Sequence, residues 1–441
     1  MSKRLLLIFV STFFSSVSWC RTYHDTEGMN VKDFFVEKGA TYVISYSHSF
    51  KDELYLPKNI ILKFKGGTLS GPIVFNKTCL EGDVNLKGSI VSGSIKNNVF
   101  NASWLCFADG VTDDARNIND ILSVCKYVYF PKGQYRLISE YTPSIADSLR
   151  QAIRTHIGIS QNDITLKGEE GTEFITTQEL GTICIYTQPY LIQKSVRNIK
   201  IQNIKFTVKN HGKSFHELRH TIKVIGVNGL AISDCFFDDF WGDAICLSHY
   251  SDNEKTGERT RNQNVKILNN TIIGGIAFNN RNGISVINGR NVLIRGNEIR
   301  NTSRRDMPGG IDIEPNNSAY TIENIKIDNN SFSGINGSGG AIGLVCFNNG
   351  PAHSIYITNN VIKKSLIGIT IYIKTENTTD NIVIKGNTTD DCTHPYNFVG
   401  EGLSRDWQIC NNNFGKPCKQ EIPGDIRVKK LKLKNNKKKV L

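Results

Sequence analysis

The stretch Gly309-Gly310-Ile311-Asp312-Ile313-Glu314-Pro315 sets two carboxylates two residues apart between apolar neighbours. In a strand, that spacing puts both on one face, about 6.5–7 Å apart at the backbone. Carboxylates that close raise one another's pKa, giving a proton donor beside an ionised partner. A third carboxylate, Asp243, follows Gly242 in GDAICLS. Glycosidic hydrolysis needs carboxyl groups a ligand's width apart, an acid for the leaving oxygen and a base or nucleophile for the anomeric carbon. Asp243, Asp312 and Glu314 are therefore the candidate catalytic residues. Candidate substrate contacts are His220, Lys223, Trp241, His249, Arg281, Asn282, Arg304 and Arg305. A base among Lys223, His220 and His249, with Arg281 or calcium neutralising a uronate, would instead serve β-elimination or epimerisation. In the structural alternative, Asp312 and Glu314 pair with Arg281, Arg304 or Arg305, or hold Ca2+, the one cofactor the residues admit.

What positions these groups is a repeat. NIKIQNIKF from Asn198 returns as NGLAISDCFF from Asn228, NVKILNNTII from Asn264 and NVLIRGNEI from Asn291. It continues as NIKIDNNSF from Asn324, SIYITNNVI from Ser354 and NIVIKGNTT from Asn381. The starts lie 27 to 36 residues apart, and the apolar residues alternate with period 2, as in stacked β-coils whose inward Ile, Val, Leu and Phe share one core. Asn tolerates left-handed corners, and its amide can bond the next coil's amide, so Asn270, Asn297, Asn330, Asn360 and Asn387 form a ladder. Each coil has a second strand, aligned on Ile222, Ile245, Ile284, Ile311, Ile342 and Ile369. If these point inward, Lys223, Cys246, Ser285, Asp312, Gly343 and Thr370 form one outward column. Ile225, Ser248, Ile287, Glu314, Val345 and Tyr372 form the next. Polar residues thus gather on one face over about four coils. A one-residue slip would turn them inward. Asp238 and Asp239, at the corner before Asp243, read as corner residues. The polar 251–263 insertion, with Arg259 and Arg261, reads as a binding wall.

Upstream, DGVTDD (109–114) precedes a helical spacing of Ile118, Ile121 and Leu122 and then VYFPKGQY (128–135). This junction resembles the entrance of the pectate-lyase superfamily, which includes polygalacturonase-like glycoside hydrolases, polysaccharide lyases and phage tailspikes. The β-rich segment before it is similar to the leader of such proteins from gut-type Bacteroidetes. The resemblance spans roughly residues 105 to 400 and implies an all-β, right-handed parallel β-helix with a capping helix and a small N-terminal β-domain. It implies a fold more than a reaction. The polygalacturonase-type steps are Gly-Asp-Asp-Cys, Gly-His-Gly and Arg-Ile-Lys. Here Gly242-Asp243-Ala244-Ile245-Cys246 keeps one Asp of the pair, Asn282 stands at the His, and Asp312-Ile313-Glu314 stands at the Arg and Lys. An acidic pair in place of a basic pair argues against that family's mode of holding a uronate.

The expected organisation is a signal peptide over 1–18, a β-rich domain over 19–105, a β-helix over 106–415 and a mobile basic tail over 416–441. Lys3, Arg4 and the apolar run from Leu5 to Phe14 predict a secreted, periplasmic or cell-surface protein. Cys20 would permit a lipid anchor, although Trp19 fits that signal poorly. The formal charge of +12 resides mostly in the tail, and no basic face interleaved with aromatics suggests nucleic acid. The expected partner is a polysaccharide, cleaved or merely bound. Of the eleven cysteines, none has metal-ligand spacing; Cys410 and Cys418 are candidates to pair, and Cys184, Cys235 and Cys346 read as small apolar residues. There is no P-loop, nucleotide fingerprint or GxSxG.

Overall fold

Alternating side chains force a choice of face, and here every coil makes the same choice. The computed structural model describes residues 21–142, 153–176, 180–187, 195–209, 218–240, 242–249, 260–274, 281–301, 307–316, 318, 320, 322–346, 350–374, 378–400, 402–415 and 427–438. Residues 1–18, expected to be a signal peptide, and Cys20 and Cys418 lie outside them. Among the described residues, no helix is long and apolar enough to cross a membrane.

The chain separates into two units, residues 1–89 with 93–96 and residues 90–92 with 97–441. In the first, strands Thr22–His24, Thr41–Ile44, Ile61–Phe64 and Pro72–Gly82 pair in parallel over a core that includes Tyr42, Ile44, Leu62 and Phe64. A buried His48–Asp25 pair (2.9 Å) also takes up the backbone N–H groups of Ser45 and Tyr46. Among the described residues of the second unit, three parallel sheets of twelve, twelve and nine strands stack into a right-handed parallel β-helix. Phe100–Asn101 already belongs to the first of these sheets, so this unit starts before residue 105.

The column Ile222, Ile245, Ile284, Ile311, Ile342, Ile369 runs in unbroken register through the nine-stranded sheet, and every member is fully buried. Each such burial is worth about 1.5–3 kcal/mol before chain entropy opposes it. Phe174, Phe206 and Phe237 form another internal stack, with ring centroids 5.0–5.8 Å apart.

The asparagine ladder is present and longer than the sequence suggested. Asn297 donates its backbone N–H and its Nδ2 to Asn330 Oδ1, both at 2.9 Å, and its Nδ2 also reaches Ile267 O. The pattern runs from Asn270 through Asn387 to Asn412 and Asn436. Left-handed backbone belongs to the preceding residue instead: Asn269 (φ 54°), Gly296 (70°), Asn329 (53°) and Asn359 (54°). One residue turns the corner and the next ties the coils.

Two further coils escaped the sequence repeat because Asp406 and Lys430 replace its leading Asn, each still at positive φ (56° and 63°). Residues 427–438, expected in a mobile tail, are therefore strands: Arg427–Lys434 pairs with Leu403–Cys410, and Leu431 and Leu433 lie opposite Trp407 and Ile409.

The helix Ala115–Val124 buries Ile118, Ile121 and Leu122. Asn119 closes the open edge of strand Thr155–Ile159: its Nδ2 donates to His156 O (2.9 Å) and its Oδ1 accepts from Gly158 N (3.1 Å). This is the edge protection a parallel sheet needs. Asn119→Leu should leave both groups orphaned and cost about 2–3 kcal/mol, read as a lower urea midpoint with faster exchange of the Gly158 amide. The DGVTDD carboxylates serve local structure. Asp109 accepts from Val111 and Thr112 N–H, which lower it to about 2, and Asp114 accepts from Phe107 and Ala108 N–H.

Candidate functional site

With the Ile column inward, the next residues must face out. Cys184, Lys223, Cys246, Ser285, Asp312, Gly343 and Thr370 are continuous Cα partners on the outer face of the nine-stranded sheet. Beside them, Ser248, Ile287 and Glu314 continue their strands through backbone bonds to Val224, Leu247 and Val286. The register inferred from sequence therefore holds, and Asp312 and Glu314 leave the same face. That face is not open: Lys223, Cys246 and Ser285 are buried and Asp312 is half-buried. Cys184 packs there with Ile153, Tyr186 and Ile225.

Asn282 is the hub. Its backbone N–H donates to Asp243 Oδ1 (3.0 Å), and its Nδ2 donates to Asp312 Oδ2 (2.9 Å) and to Ser285 Oγ (3.1 Å). One residue thus ties together carboxylates from coils two strands apart, roughly 9–10 Å at the backbone. Gly309 serves this arrangement, since a Cβ there would lie 2.9 Å from Asn282 Oδ1. Gly310 is equally constrained: a Cβ there would meet Ala341 O at 2.5 Å and the Phe332 ring at 2.7 Å. Both glycines are required by packing.

Asp243 and His220 are almost wholly buried and face each other. The Asp243 backbone N–H donates to His220 Nδ1 (3.1 Å), and Asp243 Oδ2 lies 3.2 Å from the same nitrogen. Burial, then the charges of Lys223 and Arg281, hold the imidazole well below its ordinary pKa, so it is neutral. Burial raises the Asp243 carboxyl against the opposing pull of Arg281. The Asp243 N–H uses the Nδ1 lone pair, so the Oδ2 contact is a close approach of two buried groups and not a second hydrogen bond to that nitrogen. Asp312 is raised well above its ordinary value by burial, then by Glu314 and Asp243. Its Oδ1 is buried without a hydrogen-bond partner. Burial also lowers Lys223, leaving a less basic amine between Cys184 and Cys246.

A pocket of about 90 Å³ opens beside this cluster, lined by His220, Asp243, Ser285, Arg281, Glu314 and His249 among others. Asp243 and Glu314 thus share one cavity. Asp312, Lys223 and Asn282 stand behind it and do not line it. His249 is held by Tyr320, whose hydroxyl lies 2.7 Å from its Nδ1, with ring centroids 4.3 Å apart. Tyr320 had no sequence signal, because it follows a strand by several residues and carries no periodic mark. Ser285 and Cys246 stood in the outward column but gained a role only once the hydrogen bonds were seen. Trp241, Arg304, Arg305 and Arg259 lie outside the described residues. Asp238 pairs with Lys205 (3.0 Å), and Asp239 sits at a left-handed corner (φ 61°), bonded to Phe240 N. Cys410 is a buried free thiol.

The donor atoms of His220, Asp243 and Cys246 lie within 4.8 Å of one another. That set suits a borderline ion such as zinc more than calcium, which takes six to eight oxygens. However, the Nδ1 lone pair is already used by the Asp243 N–H, and Lys223 and Arg281 place positive charge beside the cluster. Proton chemistry fits these residues better than cation binding.

The structure is similar to a family 28 exopolygalacturonase of Yersinia enterocolitica, at 14% identity and a TM-score of 0.51 over 78% of this chain and 79% of that one. It is also similar to PfbA, a surface adhesin of Streptococcus pneumoniae, at 13% identity and a TM-score of 0.47 over 77% of this chain and 91% of the other. The tailspike gp49 of Acinetobacter baumannii bacteriophage Fri1, a capsular polysaccharide depolymerase, gives 11% and 0.40 over 78% and 64%. No protein-family model matches the sequence, and no curated protein does. At these identities the likeness is one of fold: the chain adopts a right-handed parallel β-helix.

Proposed function

We propose that the chain is a secreted carbohydrate-active enzyme that hydrolyses glycosidic bonds of a polysaccharide. Asp243 acts as the acid, Glu314 as the base or nucleophile, and Asp312 as the neighbour that sets their protonation. The observation that carries this reading is that Asp243 and Glu314 line one pocket while Asn282 ties Asp243 to Asp312 behind it. Asp243 would hand its proton to the leaving oxygen. Glu314 would take a proton from the attacking water, or attack the anomeric carbon itself. Arg281 lines the same pocket and supports the ionised state that follows proton transfer. The acidic Asp312–Glu314 pair favours a neutral sugar at this position over a uronate. The apolar N-terminal run supports secretion.

A second reading, polysaccharide lyase or uronate epimerase, draws on the neutral His220 and the lowered Lys223 beside Arg281, a base set with a carboxylate-neutralising partner. Incubation of the purified protein with neutral, uronic and sulfated glycans separates the two. New reducing ends without ultraviolet absorbance, lost in Glu314→Gln, are expected for the hydrolase. Reducing ends accompanied by the absorbance of an unsaturated uronate would overturn it in favour of the lyase. Binding without any product would make the groove a receptor.

A further inference from the structure

The strand Arg427–Lys434 carries the sequence RVKKLKLK, and the run from Arg427 to Lys438 holds no acidic residue. Alternation sends Leu431 and Leu433 to the side of Trp407 and Ile409, so Lys432 and Lys434 must share the opposite face, about 6.6–7 Å apart. Lys429, Lys430, Lys432 and Lys434 are all exposed. Lys429 stands in register over Arg405, one strand spacing away. The nearby carboxylates are already engaged, Asp406 with Lys430 (3.6 Å) and Asp380 with Arg405 (3.3 Å). Among the described residues this strand is the edge of its twelve-stranded sheet. A lysine or two would suffice to discourage edge pairing. A row of them on a rigid strand makes a comb of positive charge.

We propose that this comb binds an anionic polysaccharide and tethers the protein to it, independently of the pocket on the nine-stranded sheet. The chemistry selects the partner. Single-stranded nucleic acid binds on aromatic stacking platforms, and residues 427–438 contain no aromatic. A membrane surface is entered by Trp, Phe or a broad apolar face, and Leu433 is the one exposed large apolar side chain on this strand. A linear polyanion lying along the strand needs neither, only regularly spaced ammonium groups.

The test uses the full chain and the triple variant Lys429→Gln, Lys432→Gln, Lys434→Gln, with the corresponding triple Arg variant as a charge-keeping control. Binding is measured to heparin oligosaccharide, polygalacturonate, neutral dextran and phosphatidylserine–phosphatidylcholine vesicles. The expected result is low-salt binding to the two acidic glycans and not to dextran, retained by the Arg variant and weakened about 100-fold in the Gln variant, roughly fivefold per lysine. It should vanish near 1 M salt, where the Debye length is about 3 Å. Equal binding by the Gln variant, no binding to either acidic glycan, or binding to vesicles alone would each overturn the proposal. No readout involves bond cleavage, so failure here is separate from failure of the hydrolase reading.

Discussion

Asp243→Asn is expected to lower turnover of a cleavable glycan by about 10²- to 10⁴-fold, the usual worth of a positioned proton donor, while the protein stays folded. The substitution is nearly isosteric. The amide oxygen can still accept from Asn282 N–H, and the backbone N–H of residue 243 keeps its bond to His220 Nδ1. The pH dependence of stability gives an independent check. The Asp243 carboxyl is raised in the folded state, so the folded chain binds its proton more tightly than the unfolded chain does. Its contribution is present below the ordinary carboxylate range, near 3.9, and is lost as pH rises through the folded value. His220 is depressed, so its contribution has the opposite sense, present above about 6.5 and lost as pH falls. Asp243→Asn should remove the first slope and keep the second, so the variant equals or exceeds the parent in urea midpoint at neutral pH. A large loss of midpoint at neutral pH would show that Asp243 is an ionised structural anchor and not a stored acid. Activity that survives the substitution would move the acid elsewhere in the cluster.

The fold was legible in the sequence where physics repeats. Ile at one place in every coil fixed the register of the nine-stranded sheet, and that register put Ser285, Asp312 and Glu314 on the outer face. The asparagine ladder was equally legible, because an amide that must bond its copy one coil away cannot vary. The last two coils were hidden because the corner residue only needs a positive φ, which Asp406 and Lys430 also adopt. A repeat defined by Asn was too narrow for what the backbone requires. The site was legible as a set of columns but not as a cavity. Whether Asp312 lines a pocket or stands behind it depends on how Asn282 bridges two coils and how Tyr320 packs on Cys246 and Ile287. Those contacts join segments far apart in sequence and follow no period. The role of Gly309 and Gly310 was illegible for a similar reason: the space each glycine leaves is filled by a neighbouring coil, which spacing along one strand does not reveal.

The ladder also predicts where this solenoid is most easily broken. Asn330→Ala should cost about 3–5 kcal/mol, because one side chain serves three neighbours. The backbone N–H and the Nδ2 of Asn297 lose their acceptor, and Ile294 O loses its donor. All lie in the buried interior of the stack, where water cannot replace the partner, and an orphaned buried group costs its full desolvation. Asn436→Ala removes the same kinds of bonds from Asn412 and Ile409, but at a half-buried position where solvent can compensate, so about 1 kcal/mol is expected. Urea midpoints of the two variants give the comparison, and hydrogen exchange at the Asn297 amide locates the damage. Neighbouring coils share the ladder, so the Asn330 lesion should also speed exchange at Asn360, one coil on, and at Asn270, two coils back. Equal midpoints for the two variants would mean that the amides merely decorate a stack held by its isoleucines. A gap of several kcal/mol would show that the polar ladder supplies the cooperativity that makes the coils unfold together.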